Sequence, residues 1–121
     1  MSEVIKILII DDEPLIRRAF QKLFQGPAYQ VFLAEDGQRG HELWEKEKPD
    51  CVFLDVIMPG LNGWEVLEKK GDFSGTHVQM MSAYTGDLEG KKQWIEKIDG
   101  FLQKPFEDIA MIKSWVDGLK K

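Results

Sequence analysis

The chain has little of what marks secreted, membrane or nucleic-acid-bound proteins. Of its 121 residues one is a cysteine, Cys51. No internal disulfide can form, and its place in an apolar run fits a small packed hydrophobe in a reducing compartment. No apolar run approaches the roughly 20 residues that span a bilayer. The opening Met-Ser-Glu-Val-Ile-Lys carries an acid where a secretory leader is basic, so a cytoplasmic protein without membrane association is expected. Long basic runs are also missing. With 21 acids against 16 lysines and arginines the formal charge is −5, which leaves no electrostatic footprint for a phosphate backbone and argues against direct nucleic-acid binding. There is no low-complexity tract. The length allows one core and one main site, hence a single domain over residues 1–121 with no output domain in this chain.

What is present is organised around Cys51-Val-Phe-Leu-Asp-Val-Ile-Met-Pro-Gly-Leu-Asn-Gly63. Apolar residues fill every position from Cys51 to Leu54, as in a parallel strand covered on both faces. Asp55 follows, and Pro59, Gly60, Asn62 and Gly63 supply turn chemistry. Val4 to Ile10 is a similar run ending in Asp11-Asp12-Glu13-Pro14. Pro14 suits the first turn of a helix, Asp12 or Glu13 suits its entrance, and Leu15, Ile16, Ala19, Phe20, Leu23 and Phe24 recur at helical spacing. Tyr29 to Ala34 reads as a second strand and Gly37 to Lys48 as a second helix. A short helix follows Gly63. Val78 to Met81 forms a fourth strand ending at Ser82. Gly100 to Gln103 forms a fifth, ending in Lys104-Pro105, and a last amphipathic helix runs from Phe106 onward through Ile109, Ile112, Val116 and Leu119. The segment from Asp87 to Ile98 is expected as a helix, although it is polar, contains Gly90 and has only Leu88, Trp94, Ile95 and Ile98 as apolar positions.

Five strands alternating with helices predict an α/β fold with an open parallel sheet, whose ligand site lies at the carboxyl ends of the strands. Asp11, Asp12, Asp55, Ser82 and Lys104 all fall on that edge. One such residue would ordinarily be a turn cap; four strand ends supplying complementary groups point to a site. Three neighbouring carboxylates repel one another unless a cation intervenes, and an all-oxygen set favours Mg²⁺, or Mn²⁺ in its place. A carboxylate can attack phosphorus, and a metal ion, an ammonium and a hydroxyl can stabilise the transferring phosphoryl group.

The motifs Ile-Ile-Asp-Asp-Glu-Pro, Leu-Asp-Val-Ile-Met-Pro-Gly-Leu-Asn-Gly, Met-Ser-Ala and Phe-Leu-Gln-Lys-Pro-Phe occur in that order at four strand ends. Over essentially its full length the chain resembles the receiver domains of two-component response regulators. The resemblance implies a flavodoxin-like (βα)5 fold with strand order 2-1-3-4-5. It implies Asp55 as phosphoacceptor, with Asp11, Asp12, Asp55 and the backbone carbonyl of Ile57 around Mg²⁺. It assigns Lys104 and Ser82 to the phosphoryl oxygens, Phe101 as a switch residue that rotates inward behind Ser82, and a cis Lys104-Pro105 bond. Leu15 and Pro105 match positions where a histidine kinase or histidine phosphotransfer protein docks. Trp94, Phe101, Met111 and Trp115 are candidates for a surface that meets a downstream protein, an output domain or, after phosphorylation, a second copy. For Met111 and Trp115 the competing reading is a widened core stripe. The implied protein is a signalling switch rather than an enzyme.

Two departures stand out. Gln79 interrupts a strand where an apolar residue is usual, just ahead of the weakly helical segment expected to cover it, so the two irregularities are expected to share a cause, a fourth helix that is short, shifted or mobile. Ile57 and Tyr84 lack a carboxamide or carboxylate to orient attacking water, which implies slow self-dephosphorylation. Three alternatives are weighed. A haloacid-dehalogenase-like enzyme needs a second Asp where Ile57 stands. Asp11, Asp12 and Glu13 would repel the phosphate of a flavodoxin-like cofactor. A degenerate receiver acting only as an interaction module would not need the intact acids, hydroxyl and lysine.

Overall fold

A computed structural model describes residues 4–83 and 90–119. The strands are β1 (Ile5–Ile10), β2 (Tyr29–Ala34), β3 (Cys51–Asp55), β4 (His77–Ser82) and β5 (Gly100–Gln103), and the helices are α1 (Pro14–Leu23), α2 (Gly37–Glu47), α3 (Gly63–Lys70), α4 (Lys92–Ile95) and α5 (Ile109–Asp117). All neighbouring strands are parallel, in the order β2-β1-β3-β4-β5. Among the described residues no helix is long and apolar enough to cross a membrane.

Strand alternation divides the core into two layers. Leu8, Ile10, Val52, Leu54, Val78 and Met80 meet Trp44 of α2 and Val66 and Leu67 of α3, with Trp94 and Ile95 of α4 packed against that layer. Ile7, Ile9, Cys51, Phe53 and Met81 face Phe20 of α1 and Ile112 and Val116 of α5. The central strand β3 is buried at every position. That two-sided cover is why its sequence is a continuous apolar run rather than an alternating one.

Helix starts follow local chemistry. Asp36 accepts from the Arg39 amide at the head of α2, and Asn62 and Glu65 form a reciprocal capping box at the head of α3. Asp108 accepts from the Met111 amide, so α5 begins at Ile109 and not at Phe106 as the apolar spacing suggested. Helix α4 spans only Lys92–Ile95 of the Asp87–Ile98 segment, the short helix that its polar sequence suggested. Residues 84–89, including Tyr84, Asp87 and Leu88, lie outside the described residues. Gly90 adopts φ +80° and Lys91 makes no side-chain cap, so nothing local extends the helix at that end.

Gln79 and this short helix do not share a cause. Val78 and Met80 point to the layer that α4 covers, whereas Gln79 pairs in register with Phe53 and Gly100 and so shares their face, on the α5 side. The period of two that governs a strand separates the two irregularities.

Gly63 begins α3 directly under the end of β3. A β-carbon there would lie 2.5 Å from the Asp55 carbonyl oxygen and 2.9 Å from the Met80 methyl. Because the nearest obstacle is backbone, Gly63→Ala should destabilise the domain by about 1–3 kcal/mol through forced backbone shifts. Gly118→Ala, whose β-carbon meets nothing closer than 3.4 Å, should stay within about 0.5 kcal/mol of wild type. Urea unfolding of both variants checks this, and equal stabilities would contradict it.

Candidate functional site

The β1 and β3 ends lie side by side, since Ile10 pairs with Leu54, and this brings Asp11 next to Asp55. The Asp11 amide continues the ladder to the Ala34 carbonyl (3.1 Å). Its Oδ1 accepts from the Glu13 amide (2.9 Å), and its carbonyl accepts from Arg17 Nη1 (2.8 Å). These bonds hold the acidic turn in place, with the Asp11 side chain fully buried. Asp55 is the last residue of β3 and 4% exposed. The turn after it is fastened by the Val56 amide to the Met81 carbonyl (2.9 Å) and the Gly63 amide to the Val56 carbonyl (2.8 Å).

Lys104 enters from the far edge of the sheet. Its amide bonds the Ser82 carbonyl (2.9 Å), and its Nζ lies 2.8 Å from Asp11 Oδ2, 2.9 Å from Glu13 Oε1 and 3.4 Å from Asp55 Oδ1. One ammonium thus joins acids from two strand ends and the loop between β1 and α1. Ser82 closes β4, is 3% exposed, and stands one residue beyond the Asp55–Met81 register pair.

The charge balance is uneven. Asp11, Glu13 and Asp55 share a single lysine, and Asp12 adds a further acid beside Asp11 and Asp55. Burial pushes the Asp55 carboxyl up to about 7, and the Asp11 charge adds to the rise while Lys104 opposes it. Asp11 is raised as well, chiefly by burial, against the pull of Lys104 and the Glu13 amide. For Lys104 burial acts downward, but the close contacts with the Asp11 and Glu13 carboxylates and the Asp55 charge more than offset it, so the ammonium is held well above its ordinary value.

The donor set fits a divalent cation. Asp11, Asp12 and Asp55 can each offer an oxygen, all within 4.8 Å of one another. Asp11 Oδ2 is buried and lacks an aligned hydrogen bond although Lys104 is near, so it retains acceptor capacity. Three carboxylates with one side open to water form the oxygen-rich, partly hydrated kind of site that Mg²⁺ occupies.

The remaining residues fall into groups. Leu15 is 73% and Ile57 66% exposed beside the acidic cluster, Pro105 is exposed, and the Lys104-Pro105 bond is cis. Phe101 pairs with Met80 in register and packs on Trp64 at 5.9 Å. The expected partner surface is divided: Trp94 and Phe101 belong to the α2–α3 layer, while Trp115 packs edge-on against Phe53 in the other, leaving Met111 as its exposed apolar member. For Trp115 the core reading holds. Glu13 was missed as a site residue. It reads as a helix entrance, yet its side chain makes no cap and reaches Lys104, 91 positions away.

The response regulator receiver domain model matches residues 7–115. The chain is 31% identical over 112 residues to protein PilH of Pseudomonas aeruginosa, covering 90% of this chain and 93% of PilH. It is 39% identical over 85 residues to sporulation initiation phosphotransferase F of Bacillus subtilis, covering 69% of this chain and 68% of that protein. Several transcriptional regulators also match, and the chain spans less than half of their length. Among solved structures, chemotaxis protein CheY4 of Vibrio cholerae aligns with TM-score 0.76 at 27% identity, over 93% of this chain and 96% of that one.

An acid whose folded value lies above its ordinary 3.8 penalises the native state when charged. That penalty is complete above about pH 7 and fades as pH falls through 7 toward 4. Without metal, Asp55→Asn should therefore stabilise the domain by on the order of 1–2 kcal/mol at pH 8, the lost Lys104 contact limiting the gain, and by clearly less at pH 5. Denaturant unfolding in chelator at both pH values measures this; a gain independent of pH, or a loss at pH 8, contradicts it.

Proposed function

The chain belongs to the response regulator receiver domain family of two-component systems, and on that premise we propose that it accepts a phosphoryl group from a phosphohistidine onto Asp55. The observation that carries this reading is the Lys104 ammonium reaching both the Asp55 carboxylate and its neighbour Asp11 across three strand ends. In the transfer, an Asp55 carboxylate oxygen bonds to phosphorus as the phosphorus–nitrogen bond breaks. The imidazole leaves with the electron pair. No oxidant, reductant or second substrate is required.

Receiver domains bind Mg²⁺ at an acidic pocket, and here Asp11, Asp12, Asp55 and the Ile57 carbonyl would hold it, or Mn²⁺ in its place. When bound, the ion supplies charge neutralisation at the phosphoryl oxygens. Lys104 bonds one of those oxygens in exchange for a carboxylate contact, Ser82 donates its hydroxyl to another, and Phe101 moves behind Ser82 to report the change to the β5 edge. Leu15 and Pro105 form the contact for the phosphohistidine donor, a histidine kinase or phosphotransfer protein. The product is a switched conformer that acts on a downstream protein, an output domain or a second copy, so the chain works as a switch and transforms no separate substrate. The complete set of acids, hydroxyl and lysine disfavours a phosphorylation-independent module.

Intact-mass analysis after incubation with acetyl phosphate and Mg²⁺ should show one phosphoryl adduct on the wild type, none on Asp55→Asn and none in chelator. An adduct on Asp55→Asn, or none on the wild type with any phosphodonor, overturns the assignment. The exposed Ile57 side chain offers no group to orient attacking water. Ile57→Asn should therefore shorten the adduct's lifetime several-fold in the same assay, and an unchanged lifetime would remove Ile57 from its control.

A further inference from the structure

Between α5 and the β4–β5 part of the sheet lies a cavity of about 510 Å³, walled by Phe53, Leu102, Phe106, Met111 and Trp115 with Gln79 among them. This volume is within the range of small-molecule sites, which are mostly apolar with a few placed polar groups. The acids Asp11, Asp12 and Asp55 are not among its lining residues, whereas Phe101 and Lys104 are.

Gln79 is the unusual member. It is 9% exposed and sits on β4 between Phe53 and Gly100. Its side-chain amide makes no hydrogen bond among the described residues, so a donor and an acceptor stand without protein partners at the cavity wall. Gly100 is what gives the amide its space, since a β-carbon there would lie 3.0 Å from Gln79 Oε1. An apolar residue at 79 would complete the core layer. The chain instead keeps an amide facing a roomy aromatic cavity.

We propose that this cavity binds a small, uncharged, planar aromatic molecule carrying a carboxamide or lactam edge. A primary amide matches a carboxamide or lactam in two parallel hydrogen bonds, each side giving one donor and one acceptor. The rings of Phe53, Phe106 and Trp115 supply stacking and edge contacts to a flat ligand. Glu107 and Asp108 also line the cavity, and their charges select against an anionic analogue. Occupancy would brace α5 against the sheet, so such a ligand acts on the helix that follows Lys104.

The test uses 2-naphthamide as the probe, titrated into the ¹⁵N-labelled full chain, with 2-naphthoate as the anionic control. Saturable shifts centred on the Gln79 side-chain amide and the Trp115 indole are expected, with 2-naphthoate binding more weakly. Gln79→Leu replaces the amide by an apolar group of similar size and should keep the fold, verified by its dispersed spectrum, while weakening 2-naphthamide by about tenfold. Binding to Gln79→Leu as tight as to wild type, shifts centred elsewhere, equal affinity for the carboxylate, or no saturable shift would each overturn the proposal.

Discussion

The ion contacts of Lys104 are the constraint on which the site depends. Asp11 and Asp55 are buried, and two buried carboxylates in one neighbourhood would ordinarily force a proton onto the pair. The ammonium between them, shared with Glu13, keeps that cost tolerable without removing it, as the raised carboxyl of Asp55 shows. The cluster is therefore stable enough to fold yet short of positive charge. On the proposed function a divalent ion and a phosphoryl group would change that balance, and Lys104 would be the element that changes partners in response.

The sheet exists to make this juxtaposition possible. Parallel strands bring all carboxyl ends to one edge, and the 2-1-3-4-5 order sets β1 beside β3. Both layers must then be covered, and close approach decides where helices can lie. Gly63 lets α3 start against the Asp55 carbonyl, and Gly40 of α2 lies against Ile10, whose side chain a β-carbon would meet at 2.6 Å. At the opposite edge, α5 is held by Ile112 and Val116 and by a polar cluster in which Lys113 donates to the Tyr29 hydroxyl (2.8 Å) and Tyr29 donates to Asp117. The β5–α5 side is consequently fastened near the helix's C-terminal end, and the cavity at Gln79 opens beside its first turns.

Strands and the five polar strand-end residues were legible in the sequence because each is written locally: apolar runs stop at an acid, a serine or a lysine, and turn residues follow; the strand order came only from the resemblance to receiver domains. What escaped depends on distance or on facing. Glu13 and Lys104 meet across nearly the whole chain, so no local pattern pairs them. Gln79 was assigned to the wrong side of the sheet because its neighbour in sequence, the α4 segment, is not its neighbour in space; counting by two from Val78 would have placed it correctly. Trp94 and Trp115 look like one surface when read along the chain, but β5 and the sheet stand between them. The start of α5 shifted from Phe106 to Ile109 because Asp108 caps it, a preference the apolar stripe does not display.

The central claim is that Lys104 neutralises the acids in the resting state and is the group that exchanges partners when a phosphoryl group arrives. Side-chain NMR of ¹⁵N-lysine-labelled protein follows that ammonium directly, with Mg²⁺ and beryllofluoride standing in for the phosphorylated state. A distinct Lys104 Nζ resonance that shifts strongly on addition of both, and stays in place when Asp55 is replaced by Asn, is the predicted result. A Lys104 signal indifferent to the phosphoryl mimic in the wild type would contradict the account.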